Sequence, residues 1–185
     1  MRAFALTVAW ILIPLSVTAE SGRVVRHEVL VRATPARAWQ AWTTNDGLQA
    51  FFPGTRPGST NVQLEPGGPF QFEFIPQNPL GARGCDLCVI LAYQEERMLS
   101  FTWDHRPDMA VRGHMTHVVL RFEPLDPSTT RVTLVQDGWG AGEEWDESFA
   151  YFDKAWSGVL ARFKAHMEAP AVPEPPALRA PDGAK

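Results

Sequence analysis

The stretch "GWGAGEEWDESFAYFDKAWSGVLARFKAHM", residues 138–167, decides the fold. Trp145, Phe149, Phe152, Trp156, Leu160, Phe163 and Met167 recur at steps of three or four. On a helix they form one apolar stripe over about six turns. Glu143, Glu144, Asp146 and Glu147 follow the Gly-rich hinge "GWGAG" and fall in the first turns. Negative charge there meets free N–H groups and the positive end of the helix dipole. The carboxylates therefore read as the charged start of a helix. A catalytic role would need a pocket-facing position and a perturbed proton affinity, and spacing shows neither.

Upstream the period is two. "RVVRHEVLVRA" (23–33) places Val25, Val29 and Val31 on one face of a strand. "TPARAWQAWTT" then offers Thr34 as a cap and Pro35 as the first residue of a helix carrying Trp39 and Trp42. "NDGLQAFFPG" reads as a short second helix stopped by Pro53-Gly54. From there to about residue 137 the chain is strand and turn: "GPFQFEFIP", "CVILAYQE", "RMLSFTWDH", "THVVLRFEPL" and "TRVTLVQDG". Phe70, Phe72 and Phe74 share a face, as do Leu99, Phe101 and Trp103, and again Thr116, Val118, Leu120 and Phe122. This order predicts an α+β domain, an antiparallel sheet with one face wrapped around the long helix.

The two ends read differently. Residues 1–19 have Arg2, an apolar run from Ala3 to Val17, and Val17-Thr18-Ala19 before Glu20. That is the pattern of a secretory signal cut before Glu20, and the expected compartment is periplasmic or extracellular. The alternative is an uncleaved membrane anchor, although the run is short and Pro14 interrupts it. After cleavage no stable membrane insertion is expected. Residues 169–185 are Pro/Ala-rich without apolar periodicity and read as a disordered tail. One domain, 20–168, lies between. A net charge of −4 gives no electrostatic case for nucleic acid. Seven Trp and eleven Phe, against two Tyr, must fill a core or line an apolar cavity.

"ARAWQAWTTNDGLQAFF", "RMLSFTW", "TRVTLVQDGWGAGEEWDESFAYFDKAW" and "VLARF", in this order, carry a family resemblance. Over roughly 24–167 the chain resembles the heat-shock protein 90 ATPase-activator-like group of the START/SRPBCC helix-grip superfamily, which also contains polyketide cyclases. The resemblance implies a curved antiparallel sheet gripping the long C-terminal helix, with a cavity between. It implies no transferable catalytic residues, because the superfamily hosts binding, transport and catalysis on one scaffold. A cytosolic cochaperone role conflicts with the export signal.

Chemical motifs are few. "CDLC" places Cys85 and Cys88 before "VILAY", a strand, whereas a thioredoxin-type site needs a helix N-terminus to lower a thiol pKa. In extended chain the pair lies about 10 Å apart, too far to bridge. A turn at "GARGCDL" would close that gap and allow a local disulfide; two unpaired core or edge cysteines are the other reading. His114 and His117 complete a two-Cys, two-His set. On strands, however, residues three apart point to opposite faces, so no metal site is expected. No nucleophile-elbow, Walker or dinucleotide fingerprint is present, and no cofactor is expected.

"FTWDHRPDMAVRGH" is the best rim candidate: Asp104, His105, Arg112 and His114 sit on or beside a loop at the end of an aromatic strand. The function expected is binding of a hydrophobic or aromatic small molecule. The expected lining is Trp39, Phe72, Phe74, Phe101, Trp103, His105, Trp145, Phe149 and Phe152. Two rivals stand beside it: a cyclase- or hydrolase-like enzyme using a pocket His or carboxylate, and a protein-interaction module.

Overall fold

The computed structural model describes residues 22–170. The signal expected over 1–19 and all but the first two residues of the tail expected over 169–185 lie outside them. Strand β1 (Val25–Val31) leads into helices α1 (Pro35–Thr43) and α2 (Asn45–Phe51). Seven strands follow: β2 (Thr60–Val62), β3 (Phe70–Glu73), β4 (Gly84–Cys85), β5 (Ile90–Gln94), β6 (Met98–Trp103), β7 (Thr116–Asp126) and β8 (Thr129–Asp137). Helix α3 (Glu143–Glu168) closes the domain. The α+β order, with two short helices after the first strand and a long C-terminal helix against an antiparallel sheet, matches the expectation from sequence.

Local chemistry sets the helix boundaries. Thr34 caps α1, its hydroxyl accepting from Arg37 N at 3.3 Å, with Pro35 at the first helical position. Thr44 is extended, with φ −123° and ψ 151°, and its hydroxyl accepts from Gly47 N at 3.0 Å to start α2. Gly47 sits so close to α1 that a Cβ there would meet the Ala41 backbone at 2.6 Å. The sharp α1–α2 corner therefore needs glycine at this point.

The sheet is antiparallel throughout, in the order β1-β8-β7-β6-β5, with β2-β3-β4 as a second, smaller sheet. The two are nearly continuous. Pro69 bridges Val89, Phe70 N donates to Cys88 O at 2.9 Å, and Ile90 N donates to Gly68 O at 2.8 Å. Four residues, 86–89, with a turn at Asp86-Leu87 between the cysteines, separate β4 from β5. "CVILAYQE" thus gives a strand that begins at Ile90, two residues later than its apolar run suggests. The inner face carries the alternating residues read from sequence: Leu99, Phe101 and Trp103 on β6, and Thr116, Val118, Leu120 and Phe122 on β7, all buried. His117 points the other way and is exposed.

Helix α3 lies against this face and along β1. It buries Phe152, Trp156, Val159, Leu160, Phe163 and Met167. Polar ties fix its axis to β1 at both ends. Arg23 pairs with Asp146 and donates to Gly140 O at 2.8 Å, His27 meets Asp153 at 2.8 Å, and Lys164 Nζ donates to Leu30 O at 2.6 Å.

Candidate ligand-binding cleft

Between α2, the end of β6 and the middle of α3 the aromatic interior opens into a cleft of about 1130 Å³. Its walls are the rings of Phe52, Phe74, Trp103, Phe152 and Trp156, and segment 104–108 forms the far side. Trp103 and Trp156 are in contact, with ring centroids 4.9 Å apart. Phe52 stacks on Phe74 at 6.1 Å. A buried polar relay holds the tryptophan pair. Trp156 Nε1 donates to Gln136 Oε1 at 2.6 Å, Gln136 Nε2 to Thr116 Oγ1 at 2.7 Å, and Thr116 Oγ1 to Trp103 O at 2.8 Å. Each polar side chain of this relay has a partner, which holds the two indoles in one arrangement.

The far wall is held by ions. Arg112 lies inside the loop that follows β6 and reaches two buried carboxylates, Asp104 at 3.1 Å and Asp86 at 3.3 Å. It also donates to Gly84 O at 2.7 Å and contacts the carbonyls of Gly81 and His105. Asp86 accepts from Gly81 N at 2.6 Å and Arg83 N at 3.2 Å; Asp104 accepts from His105 N at 2.7 Å and Gly113 N at 2.9 Å. Cys85 and Cys88 are joined as a disulfide, with Cα atoms 5.3 Å apart. The pinched strand turns Asp86 inward to Arg112. With both sulfurs bonded to each other, neither serves as a thiolate metal ligand beside His114 or His117. Asp104 and Arg112, read from sequence as sitting on or beside a rim loop, form that loop's internal brace, and Asp104 also lines the cleft while Arg112 does not.

His105 is buried between that brace and α3. Its Nε2 lies 2.9 Å from His114 O. A carbonyl only accepts, so Nε2 carries the proton and Nδ1, 2.6 Å from Ser148 Oγ, accepts from the hydroxyl. Burial lowers its proton affinity below the ordinary histidine value, more than the His114 carbonyl and Asp104 raise it. The neutral ring ties the loop to α3. Ser148 is fully buried and lies outside the cleft wall. The pair resembles a serine–histidine dyad in distance but does not present its hydroxyl to the cleft.

Of the residues expected to line a cavity, Phe74, Trp103, His105 and Phe152 do so. Five do not. Trp39 packs on Phe122 and Tyr93 near α1, with centroids 5.7 and 6.3 Å away. Phe72 and Phe101 are fully buried behind the wall, in contact with Phe52 and Phe70. Trp145 lies on the other side of His105, at 5.2 Å, and Phe149 packs on Trp139 at 5.2 Å. Trp103 and Trp145 therefore do not share one mouth. Sequence reasoning missed Phe52 and Trp156 as lining, although Trp156 stands four residues from Phe152 on the same stripe. It also missed Lys154, Gly158 and Arg162, which repeat every fourth residue along the helix wall.

A sheet closed on a long C-terminal helix with a cleft between them is the helix-grip arrangement of START/SRPBCC domains. The chain belongs to the family described as Activator of Hsp90 ATPase homolog 1-like protein, whose model matches residues 32–168. Solved structures show the same fold. MLL2253 from Mesorhizobium loti is 16% identical, with a TM-score of 0.60 over 79% of this chain and 97% of that one. BH1534 from Bacillus halodurans is 22% identical, with a TM-score of 0.57 over 79% and 97%. The Aha1 dimer from Colwellia psychrerythraea is 18% identical, with a TM-score of 0.50 over 79% and 96%. No curated protein matches the sequence. Family and fold together support a small-molecule-binding or interaction domain. Among the described residues no helix is long and apolar enough to cross a membrane.

Proposed function

We propose that the protein binds a hydrophobic or aromatic small molecule in the cleft between the sheet and α3. One observation carries this reading: five aromatic rings, packed against their neighbours on one side, border open space of about 1130 Å³ on the other. Such a volume exceeds the several hundred Å³ of an ordinary ligand pocket, and its apolar wall is edged by polar groups of segment 104–108 and of the outer row of α3. The polar groups nearest the rings, Asp104 and His105, are already engaged within the protein. That favours binding over acid–base chemistry.

The test is a titration with the neutral fluorophore phenylnaphthylamine. Saturable binding at one site per chain is expected, and Gly158→Phe should abolish it. A Cβ at Gly158 meets nothing within 4 Å, so the new ring enters open space without disturbing the core. Absence of binding by the parent, or full binding by a folded Gly158→Phe variant, overturns the reading.

Export is part of the same proposal. The leader pattern of residues 1–19 and a disulfide between Cys85 and Cys88 both suit an oxidising compartment outside the cytosol. Sequencing the N-terminus of protein from a membrane-free export fraction should give a start at or near Glu20. An intact Met1 on a membrane-bound chain rules this out.

A further inference from the structure

We propose that the ligand is an anion: a flat apolar body carrying one carboxylate, sulfonate or phosphate, held by Lys154 and Arg162. This rests on the cleft reading above and names the class of molecule it takes.

Several charged groups of the cleft wall are already paired within the protein. Asp104 is neutralised by Arg112 at 3.1 Å, and its oxygens also accept from two backbone N–H groups. Asp108 and Arg106 neutralise each other, Arg106 Nε donating to Asp108 Oδ1 at 2.9 Å while its guanidinium lies over the Tyr151 ring. His105 spends both ring nitrogens on Ser148 and His114. Lys154 and Arg162 remain, and among the described residues neither forms an ion pair or side-chain hydrogen bond within the protein. The uncompensated charge of the cleft is therefore cationic and confined to one wall.

Its placement suits an amphiphile. Lys154, Gly158 and Arg162 form one row of α3 at four-residue spacing, and Ala155 and Val159 form the adjoining row beside Phe152 and Trp156. The inner row is apolar and small; the outer row is charged. The Cα atoms of the two cations lie about 12 Å apart along the helix at 1.5 Å per residue. Gly158 stands between them and leaves that gap empty, since a Cβ there would meet nothing. Glycine is a poor choice for the interior of an exposed helix face. Here it gives a polar head access to both cations while the body lies on the rings. The long stems of Lys154 and Arg162 extend the apolar surface below their charged ends.

The experiment compares two dyes of one scaffold, neutral phenylnaphthylamine and anionic anilinonaphthalene sulfonate. At low ionic strength the parent should bind the sulfonate about tenfold or more tightly than the neutral dye, and high salt should erase most of the difference. Lys154→Gln with Arg162→Gln should remove that preference, lowering the affinity for the sulfonate about tenfold or more and that for the neutral dye by much less. Both residues are exposed on α3, and melting curves check that the variant folds. Equal affinity of the parent for the two dyes overturns the anion proposal while the cleft reading stands. So does an equal loss of both dyes in the variant. Failure of the parent to bind either dye overturns both readings.

Discussion

Two regions of this interior hold clusters of rings, yet one is closed and the other is open. Near α1, α2 and the end of α3, Trp42 packs on Phe51 at 5.0 Å and on Phe163 at 5.7 Å, and Phe51 meets Phe163 at 5.2 Å. Three helices supply those rings, and nothing polar separates them. Near the middle of α3, Trp103 and Trp156 touch at 4.9 Å, but their outer side faces the cleft. The far wall there is a loop held by its own buried ions. Both places hold clustered rings, and the framework around the rings decides which region can receive a ligand.

The largest effect should follow from breaking that framework. Arg112→Met leaves Asp86 and Asp104 buried without their cation, their side chains being 2% and 3% exposed. Removing one partner of a buried ion pair costs about 3–5 kcal/mol. Denaturant unfolding should show that loss. Hydrogen exchange should show protection lost first around 81–114, with the Trp42–Phe51–Phe163 region protected to the global limit. A uniform loss across the domain would mean that the two regions fold as one unit, and the contrast would be one of shape alone.

This brace also marks where sequence reading stops. The stripe of α3, the alternation Leu99-Phe101-Trp103 and the Thr34-Pro35 start of α1 follow from local periodicity and capping, and the structure reproduces them. Which rings face open space is not local. Phe72 and Phe74 are two residues apart and read as one face, but β3 ends at Glu73. Phe72 stays in the core and Phe74 turns to the cleft. Trp145 and Trp156 share a helix stripe, but His105 stands beside the first and the cleft beside the second. Arg112 reaches Asp86 across 26 positions and a disulfide-pinched bulge, a pairing no spacing rule predicts.

The indoles give the next test. Trp156 Nε1 is bonded to Gln136, whereas Trp42 Nε1 is buried with no partner among the described residues. Trp156→Phe would leave Gln136 Oε1 without its donor, a loss of about 1–3 kcal/mol beyond the packing change. Trp42→Phe removes an N–H that has no acceptor, so that penalty disappears and offsets part of the lost ring contact. Trp156→Phe should therefore cost more, and it should also alter dye binding. Equal costs in the two variants would show that the relay adds nothing to the open region.

Acidity probes the same region through one proton. The folded pKa of His105 lies below its ordinary value of 6.5, chiefly because the ring is buried. Between those two values the unfolded chain binds a proton that the folded one does not. This contribution is complete above about pH 6.5 and is lost as pH falls toward the folded pKa. Unfolding free energies measured across that window should fall with acid, and His105→Gln should flatten the slope. An unchanged slope would mean that His105 does not carry the pH dependence of the open region.

The smallest effect concerns the start of α3, on the open side of the molecule. Gly142 caps the helix without a side chain, so no hydroxyl or carboxylate of the cap residue receives the first N–H groups. Glu143, Glu144 and Asp146 stand in the first turn instead, and Asp146 is engaged by Arg23. Glu143 is exposed, so its attraction to the helix dipole is screened by solvent and salt. Glu143→Gln should then cost a few tenths of a kcal/mol, with about 1 kcal/mol as the upper bound at low salt. None of these carboxylates lines the cleft, and dye affinity should stay unchanged. If Glu143→Gln instead lowered dye affinity at full stability, the carboxylates of the helix start would belong to the binding site. The open region would then extend past His105 to the Trp145 side, which the observed packing keeps separate.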